Sequence, residues 1–155
     1  MPPANLATSG EVIVWDSSVL IPLILPRSKS SALYARIDAA GWLIAATPPI
    51  LEEVRVKLTT KPSLRKWLGL SDEDLAEFVD NLLPSLLRVY PGVVTAAGAV
   101  PADPDDDMVV AAALECQTKY IVSEDRHLLR LGKYSGIQIF SRDAFRDELD
   151  RWGVP

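Results

Sequence analysis

Carboxylates are the side chains of this sequence best placed to do chemistry, and several of them stand beside short apolar runs. Asp16 follows the run at residues 11–15, and Asp125 comes two residues after the run at 120–123. Four more aspartates are found among residues 103–107. In an open parallel α/β sheet, side chains just past the carboxyl ends of strands converge on one crevice. We therefore expect these acids, distant in sequence, to meet at one end of a sheet.

Acids that converge in this way repel one another, so they tolerate neutral pH only by binding cations or by raising their pKa values. Glu53, one or two turns into a predicted helix, adds another carboxylate to the same end of the sheet. Oxygen ligands without histidine or cysteine favour hard ions, so the sequence predicts Mg²⁺ or Mn²⁺ rather than Zn²⁺. Such a site suits phosphodiester hydrolysis, in which one ion activates a water and a second stabilises the leaving oxygen.

Each of these acids also has a structural interpretation, which the residues alone leave open. Asp103 would cap a helix that has Pro104 in its first turn, where the helix dipole also favours acids. Asp16 could be a turn residue and Asp125 a first-turn acid of another helix. Asp106 is harder to explain as a solvated residue, because it lies above an apolar helix face.

Helix phase does not distinguish Glu53 from its neighbour Glu52. Both glutamates flank the apolar stripe formed by Leu51, Val54 and Leu58. Either of them could therefore face the acidic cluster while the other faces solvent.

Motifs for other chemistries fail on inspection. A calcium loop starting at Asp103 would place Met108 where glycine is required and Leu114 where the bidentate glutamate belongs. The sequence contains no phosphate-binding glycine loop and no serine-nucleophile elbow. We expect His127 at the surface or at a helix cap, and Cys116 as a small buried apolar residue.

Short apolar runs alternate with longer segments of helical periodicity, which is typical of an α/β fold with a parallel sheet. The predicted strands are residues 11–15, 43–46, 87–90, 120–123 and 137–140. The predicted helices are a short one after residue 16 and residues 30–40, 47–58, 64–70, 72–87, 103–117, 125–131 and 141–152. Ser71 opens the 72–87 helix with a capping box in which Asp74 replaces the usual glutamate or glutamine.

Composition limits the class of protein. The chain has 155 residues, 48% of them hydrophobic and 24% charged, which predicts one globular domain over residues 11–155. Its apolar runs are shorter than the roughly 18–20 residues that a membrane span needs. Residues 1–10 have neither the basic nor the apolar region of an export signal, so we expect a disordered tail. Together with the single cysteine, this predicts a cytoplasmic protein.

Charge is distributed unevenly along the chain. The net charge of −5 by itself disfavours nucleic acid as a partner, but bound divalent cations would invert the field at the acidic cluster. Five basic residues follow Glu53 with no acid among them: Arg55, Lys57, Lys61, Arg65 and Lys66. They could contact a nucleic-acid backbone near the metal ions, or they could simply form a solvated helix face.

Four segments, in this order and spacing, resemble the PIN-domain nucleases, and in particular the VapC-like toxins of bacterial toxin–antitoxin systems. They are VIVWDSSVL (12–20), TPPILEEV (47–54), ADPDDDMVVAAA (102–113) and YIVSEDRHLL (120–129). The resemblance covers residues 12 to about 149. Ser18 and Asp107 depart from it, because they stand where asparagine is common in the family, and Glu124 stands where many members have glycine.

The resemblance implies a three-layer α/β/α fold with a mainly parallel central sheet, and the activity of an Mg²⁺- or Mn²⁺-dependent endoribonuclease. It assigns catalytic, metal-binding roles to Asp16, Glu53, Asp106 and Asp125, with Asp103 as an accessory metal ligand. Ser18 and Ser123 would be neighbouring polar groups, and Glu53 is favoured over Glu52 by analogy.

The resemblance also implies partners. The substrate would be RNA, and a cognate antitoxin protein would block the acidic cleft. A homodimer is usual in the family, and the apolar C-terminal region with Trp152 and the exposed helices after Glu53 could support one.

Two other classes of function stay open. One is a catalytically silent PIN scaffold that binds RNA or a protein partner. The other is a phosphotransfer protein with an acidic pocket, which the sequence disfavours. Asp16 is not followed two residues later by a second aspartate, as such phosphatases require, and no lysine follows a late strand, as a receiver domain requires.

Overall fold

A six-stranded sheet forms the centre of the computed structural model, which describes residues 11–155. The strands are β1 (Val12–Trp15), β2 (Leu43–Ala46), β3 (Arg88–Val89), β4 (Tyr120–Val122), β5 (Lys133–Tyr134) and β6 (Ile137–Phe140). Their order is β3-β2-β1-β4-β6-β5, and every neighbouring pair is parallel except β5 with β6. The predicted N-terminal tail, residues 1–10, lies outside the described residues.

Strand β1 lies between β2 and β4 because its side chains suit burial on both faces. All four of its residues are buried, as expected for a strand of a parallel sheet that is covered by helices on both sides. Trp15 is paired with Val122 at the carboxyl ends of β1 and β4. The residues that follow these two strands, Asp16 and Ser123, are therefore neighbours.

Helices pack around this sheet and complete a three-layer α/β/α fold, which confirms the fold predicted from the sequence. They are α1 (Ser17–Leu20), α2 (Lys29–Ala39), α3 (Pro48–Thr60), α4 (Pro62–Leu68), α5 (Asp72–Glu77), α6 (Leu83–Leu86), α7 (Asp107–Cys116), α8 (Arg126–Leu131) and α9 (Arg142–Arg151). Helix α2 packs on β2 and α9, whereas α7 packs on β1, β4 and α3. No helix within residues 11–155 is long and apolar enough to cross a membrane.

The predicted continuous helix over residues 72–87 is wrong in its middle. Its capping box is present, because the Ser71 hydroxyl accepts from the Asp74 amide and the Asp74 carboxylate accepts from the Ser71 amide, each at 3.1 Å. After α5, however, a π-helical stretch at Phe78–Leu82 widens the helix before α6 begins. Pro84 lacks the amide that would bond the carbonyl of Asp80 in an α-helix, and its ring would clash with that carbonyl.

The hairpin of β5 and β6 was not predicted, since β5 has only two residues. Ser135 and Gly136, which join the strands, both have positive φ angles, of 47° and 84°. Two consecutive positive φ angles are characteristic of the type I′ turn of tight hairpins. A Ser-Gly pair directly before an apolar run was therefore the available signal.

Aromatic side chains fill the space between α9 and the sheet. Trp152 lies 5.5 Å from Tyr120 and 6.1 Å from both Trp42 and Phe145, measured between ring centroids. Phe145 also packs edge-on against Phe140. Trp152 is thus half-buried and part of the domain's own packing.

Candidate active site

Asp16 is held rigidly at the carboxyl end of β1. It caps α1, and its carboxylate accepts hydrogen bonds from the amide and hydroxyl of Ser18 and from the hydroxyl of Ser123. Its side chain is nearly inaccessible, at 3% exposure. Burial raises the pKa of Asp16, although the bonds from Ser123 and Ser18 and the charge of Lys57 oppose this shift. Three hydrogen-bond donors therefore fix the position of this buried carboxylate.

Glu53 joins the same cluster from α3. The Ser17 hydroxyl donates to Glu53 Oε2 at 2.9 Å, and Lys57 Nζ donates to the same hydroxyl at 2.7 Å. Lys57 also lies 3.8 Å from Glu53 Oε1, one helical turn away. Glu52 instead is exposed and pairs with Arg55. Of the two glutamates, Glu53 is the one that faces Asp16.

Asp106 lies in a 3₁₀ turn, Pro104–Asp106, directly before α7. The predicted helix from Asp103 therefore starts later, because Asp103 caps this turn and the α-helix begins at Asp107. Asp106 is 6% exposed, and its Oδ2 is buried with no hydrogen-bond donor directed at it. Burial, followed by a hydrogen bond to Asp125 and by the charges of Asp125, Asp103 and Asp16, raises the pKa of Asp106 to about 8.

Asp125 caps α8 after β4. Its Oδ1 accepts from the amides of His127 at 2.8 Å and Leu128 at 3.3 Å, and its own amide donates to Ser123 Oγ at 2.9 Å. Burial acts to raise its pKa, but these amides and the bond to Asp106 outweigh burial and leave the pKa of Asp125 below its ordinary value. Asp125 and Asp106 therefore behave as a pair in which Asp125 holds the charge.

The five predicted metal-binding acids thus come to the same end of the sheet. Asp106 is affected by the charges of Asp16, Asp103 and Asp125, and Asp16 by the charge of Glu53. Their side chains are not arranged as a metal site, however. Within residues 11–155 no three His, Cys, Asp or Glu side chains are positioned to hold a metal ion. Serine hydroxyls and Lys57 satisfy Asp16 and Glu53 instead.

The donor set nevertheless suits a hard divalent cation. Every candidate ligand atom is a carboxylate or hydroxyl oxygen, the type that Mg²⁺ and Mn²⁺ prefer. The buried Oδ2 of Asp106 has no donor, which is costly unless a proton or a cation neutralises the group.

Asp107 and Glu115, both on α7, hold the loop that leads to the cluster. Asp107 accepts from the amides of Gly98 at 2.8 Å and Val100 at 2.7 Å. Glu115 accepts from three consecutive amides of residues 92–94 at 2.7–3.0 Å. Asp107, which departs from the family's usual asparagine, therefore has a structural role here that needs only acceptor oxygens.

The five predicted backbone-binding residues have different surroundings. Lys57 points into the acidic cluster, whereas Arg55 is paired with Asp80 and Arg65 with Asp72. Lys61 and Lys66 are exposed. Three of the five side chains therefore have partners within the domain.

Sequence reasoning missed two contacts next to the acids. Ser17 links Glu53 to Lys57, and the i, i+4 spacing of these two charged residues on one helix was the available signal. Arg142, at the start of α9, donates to Glu124 Oε1 at 3.1 Å. Glu124, which follows Ser123, is thereby bound to the start of α9.

The remaining candidate side chains have no place in the cluster. Burial raises the pKa of the Cys116 thiol to about 12, which makes it unreactive at neutral pH. The amide of His127 bonds Asp125, so His127 belongs to the first turn of α8.

A sequence comparison decides the family. The PIN domain family matches this chain over residues 12–127, which is well over half of its length and includes all five candidate acids. This chain belongs to the PIN-domain family. PIN domains are in general nucleases that use divalent metal ions, so the family agrees with the chemistry of the acids.

A structural comparison supports the PIN fold. The crystal structure of PAE2754 from Pyrobaculum aerophilum matches with a TM-score of 0.56, covering 96% of this chain and 94% of that chain. The two sequences are 17% identical, so the likeness concerns the fold alone. No curated protein matches the sequence.

Proposed function

We propose that this PIN domain is an endoribonuclease that depends on Mg²⁺ or Mn²⁺. The observation that carries the proposal is the buried, unpaired Oδ2 of Asp106, which lies among four other acids at the carboxyl end of the sheet. Asp16, Glu53, Asp106 and Asp125 would hold the ions, with Asp103 as an accessory ligand. The ions would supply an activated water and stabilise the leaving oxygen of the phosphodiester.

The chain's own residues would prepare the site for this reaction. Ser18 and Ser123 hold the Asp16 carboxylate, and the amides at the start of α8 hold Asp125, so that little reorganisation accompanies binding. The ammonium group of Lys57 lies at the edge of the cluster, beside Glu53. There it can contact a phosphate oxygen of the substrate and balance the carboxylate charge.

The biological setting is a further part of the proposal. The order and spacing of the four segments that resemble VapC-like toxins support a cytoplasmic toxin whose activity a cognate antitoxin blocks. RNA is the proposed substrate on the same ground. A homodimer is proposed on the same ground.

The test is cleavage of a mixed pool of single-stranded and structured RNAs with Mg²⁺, Mn²⁺ or EDTA. We expect cutting with either metal ion and none in EDTA. Asp106→Asn, which keeps the shape of the side chain but removes one ligand charge, should abolish cutting. The matched control is Asp105→Asn, which changes an exposed acid in the same turn and should retain activity. Cutting that survives in Asp106→Asn or in EDTA would contradict the proposal.

A catalytically silent scaffold is the second candidate, and one observation favours it. Hydroxyl groups and Lys57 already satisfy Asp16 and Glu53 without a metal ion. In that case calorimetry would detect no binding of Mg²⁺ or Mn²⁺, and wild type and Asp106→Asn would be equally inactive. Metal binding that is lost in Asp106→Asn would exclude this candidate.

A further inference from the structure

A groove outside the acidic cluster runs between the loop after α1 and the end of α4. It has a volume of about 650 Å³, within the range of ligand-binding clefts. Its apolar lining residues are Pro22, Leu25, Pro26 and Trp67. The walls are thus mainly apolar, although the groove is open to solvent at the surface.

Trp67 is the unusual residue of this groove. Its side chain is 68% exposed, although tryptophan is usually largely buried in folded proteins. Within residues 11–155 no aromatic ring stacks on it, whereas Trp15, Trp42 and Trp152 all pack against other rings. An exposed indole at the edge of a groove is a surface on which a planar group can stack.

The charged residues that line the groove are all basic, although the protein as a whole carries a charge of −5. They are Arg27, Lys29 and Arg142. None of the ion pairs found within residues 11–155 includes Arg27. Lys29 makes only an exposed pair with Asp143, at 3.3 Å, which a competing anion can replace at little cost.

The groove opens next to the acidic cluster. Arg142, in its lining, is bonded to Glu124, the residue directly before Asp125. On the other side, Pro22 follows Asp16 by six residues that are helical in α1 and the 3₁₀ turn after it. Six residues of such helix span about 10 Å, so the groove and Asp16 are close neighbours.

We propose that this groove binds single-stranded RNA next to the cleavage site, with one base stacked on Trp67 and phosphates held by Arg27 and Lys29. The inference rests on the proposed ribonuclease and adds an RNA-binding subsite outside its acidic cluster. Bases in a duplex are stacked on one another, so only an unpaired base can reach the indole. The combination of aromatic platform and basic lining is typical of proteins that bind single strands.

The test is equilibrium binding of a short fluorescent RNA to the full chain in EDTA, measured by anisotropy. Trp67→Ala should weaken binding about 10-fold, and Trp67→Phe should restore most of the loss, since stacking needs only an aromatic face. An RNA with abasic positions throughout should bind wild type and Trp67→Ala equally. Because Trp67 is exposed, its substitution should not affect folding.

The basic residues are tested by the salt dependence of the same binding. Arg27→Ala combined with Lys29→Ala should lower the slope of log affinity against log salt by about 1.4, at roughly 0.7 for each phosphate contact. The control is Lys119→Ala. Lys119 is exposed and precedes β4 at the opposite end of the sheet, so the slope should not change.

Equal affinity of wild type and Trp67→Ala for the intact RNA would overturn the inference. Metal-dependent cutting lost in Asp106→Asn would then still establish the nuclease, so the two proposals fail separately. A peptide of alternating glutamate and leucine serves as the probe for a protein partner. If Trp67→Ala weakens binding of this peptide but not of RNA, the groove binds protein and the inference is again overturned.

Discussion

Asp106 is buried and lies near the carboxylates of Asp125, Asp103 and Asp16, and both conditions disfavour its ionised form. With its Oδ2 unpaired and Asp125 beside it, the carboxyl has a pKa raised to about 8. In the unfolded chain the same group ionises near its ordinary value, so folding at neutral pH takes up a proton. When folding raises the pKa of a carboxyl, the protein has its full stability at pH values below the pKa of the unfolded chain. That stability is lost as the pH rises from the unfolded pKa to the folded pKa. Asp106 therefore destabilises the metal-free protein at pH 7.

We predict that Asp106→Asn raises the melting temperature of the metal-free protein. The asparagine amide can donate to Asp125 without taking up a proton. Each kcal/mol gained should raise the midpoint by roughly 2–4 °C in a chain of this size. Thermal unfolding in EDTA measures the effect, with Asp105→Asn as the control. A lower midpoint in Asp106→Asn than in Asp105→Asn would contradict the prediction.

At the scale of residues, the acids at strand ends could be predicted from the sequence, whereas the contacts between side chains across the cluster could not. Asp16 and Asp125 could be placed because each follows a recognisable apolar run, and the structure brings them to one end of the sheet. The role of Asp125 as the charged member of its pair with Asp106 depends on the amides of α8, which no sequence pattern specifies. The inward direction of Lys57 likewise depends on how α3 packs against α1.

At the scale of elements, the loop between β3 and α7 ties the site to the start of α3. Gly92, with φ +76°, passes so close to α3 that an added Cβ would lie 3.0 Å from Pro49 Cδ and 3.1 Å from Pro48 Cδ. The amide of Gly92 is bonded to Glu115 of α7. This close approach thus links α3, which carries Glu53, to α7, which begins at the acidic turn.

We predict that Gly92→Ala destabilises the protein more than Gly98→Ala. Both glycines have positive φ angles, so both alanines bear a backbone cost of about 1–2 kcal/mol. Only at position 92 does the methyl group meet other atoms, because nothing lies within 4 Å at position 98. Thermal unfolding of the two variants measures the difference. Equal losses would show that the contact with α3 is relaxed at no cost.

Glu115 gives a prediction for pH. Hydrogen bonds from the backbone amides of Gly92, Val94 and Val93 lower the pKa of its carboxyl. A carboxyl whose pKa is lowered by folding stabilises the protein at pH values above the pKa of the unfolded chain. This stabilisation is lost as the pH falls through the pKa of the folded protein. Glu115→Gln should therefore destabilise the protein at pH 7, by an amount that shrinks below about pH 4.

Denaturant unfolding at several pH values measures the Glu115→Gln effect. The control is Glu77→Gln, at an exposed glutamate bonded to Asn81 rather than to backbone amides. If the Glu115→Gln loss did not depend on pH, the amides would not be stabilised by the charge of the carboxylate.

The elements that sequence reasoning found are those with a long apolar pattern. β2 was predicted with its observed bounds, and α3 and α9 to within two residues at each end. The π-helical stretch and β5 were not found, because both depend on local hydrogen-bond geometry rather than on periodicity. Pro84 and the Ser135–Gly136 pair mark these places in the sequence, but neither predicts its geometry uniquely.

At the scale of the whole molecule, opposite charges lie side by side. The acidic cluster holds five candidate ligands, and the adjoining groove is lined by basic residues and no acids. In the absence of metal ions the cluster repels an RNA strand that the groove attracts. Each divalent cation bound there would add a charge of +2 and convert repulsion into attraction. The net charge of −5 therefore describes only the metal-free protein.

This arrangement predicts that Mg²⁺ strengthens RNA binding through the acids of the site. At matched ionic strength, wild type should bind a single-stranded RNA several-fold more tightly in Mg²⁺ than in EDTA, whereas general screening by Mg²⁺ would weaken binding. Asp106→Asn should lose most of this gain, and Asp105→Asn should keep it. Binding is measured at low temperature, and a gel verifies that the RNA is intact. An equal effect of Mg²⁺ on wild type and Asp106→Asn would mean that the ions act on the RNA or elsewhere on the protein, and not at the acidic cluster.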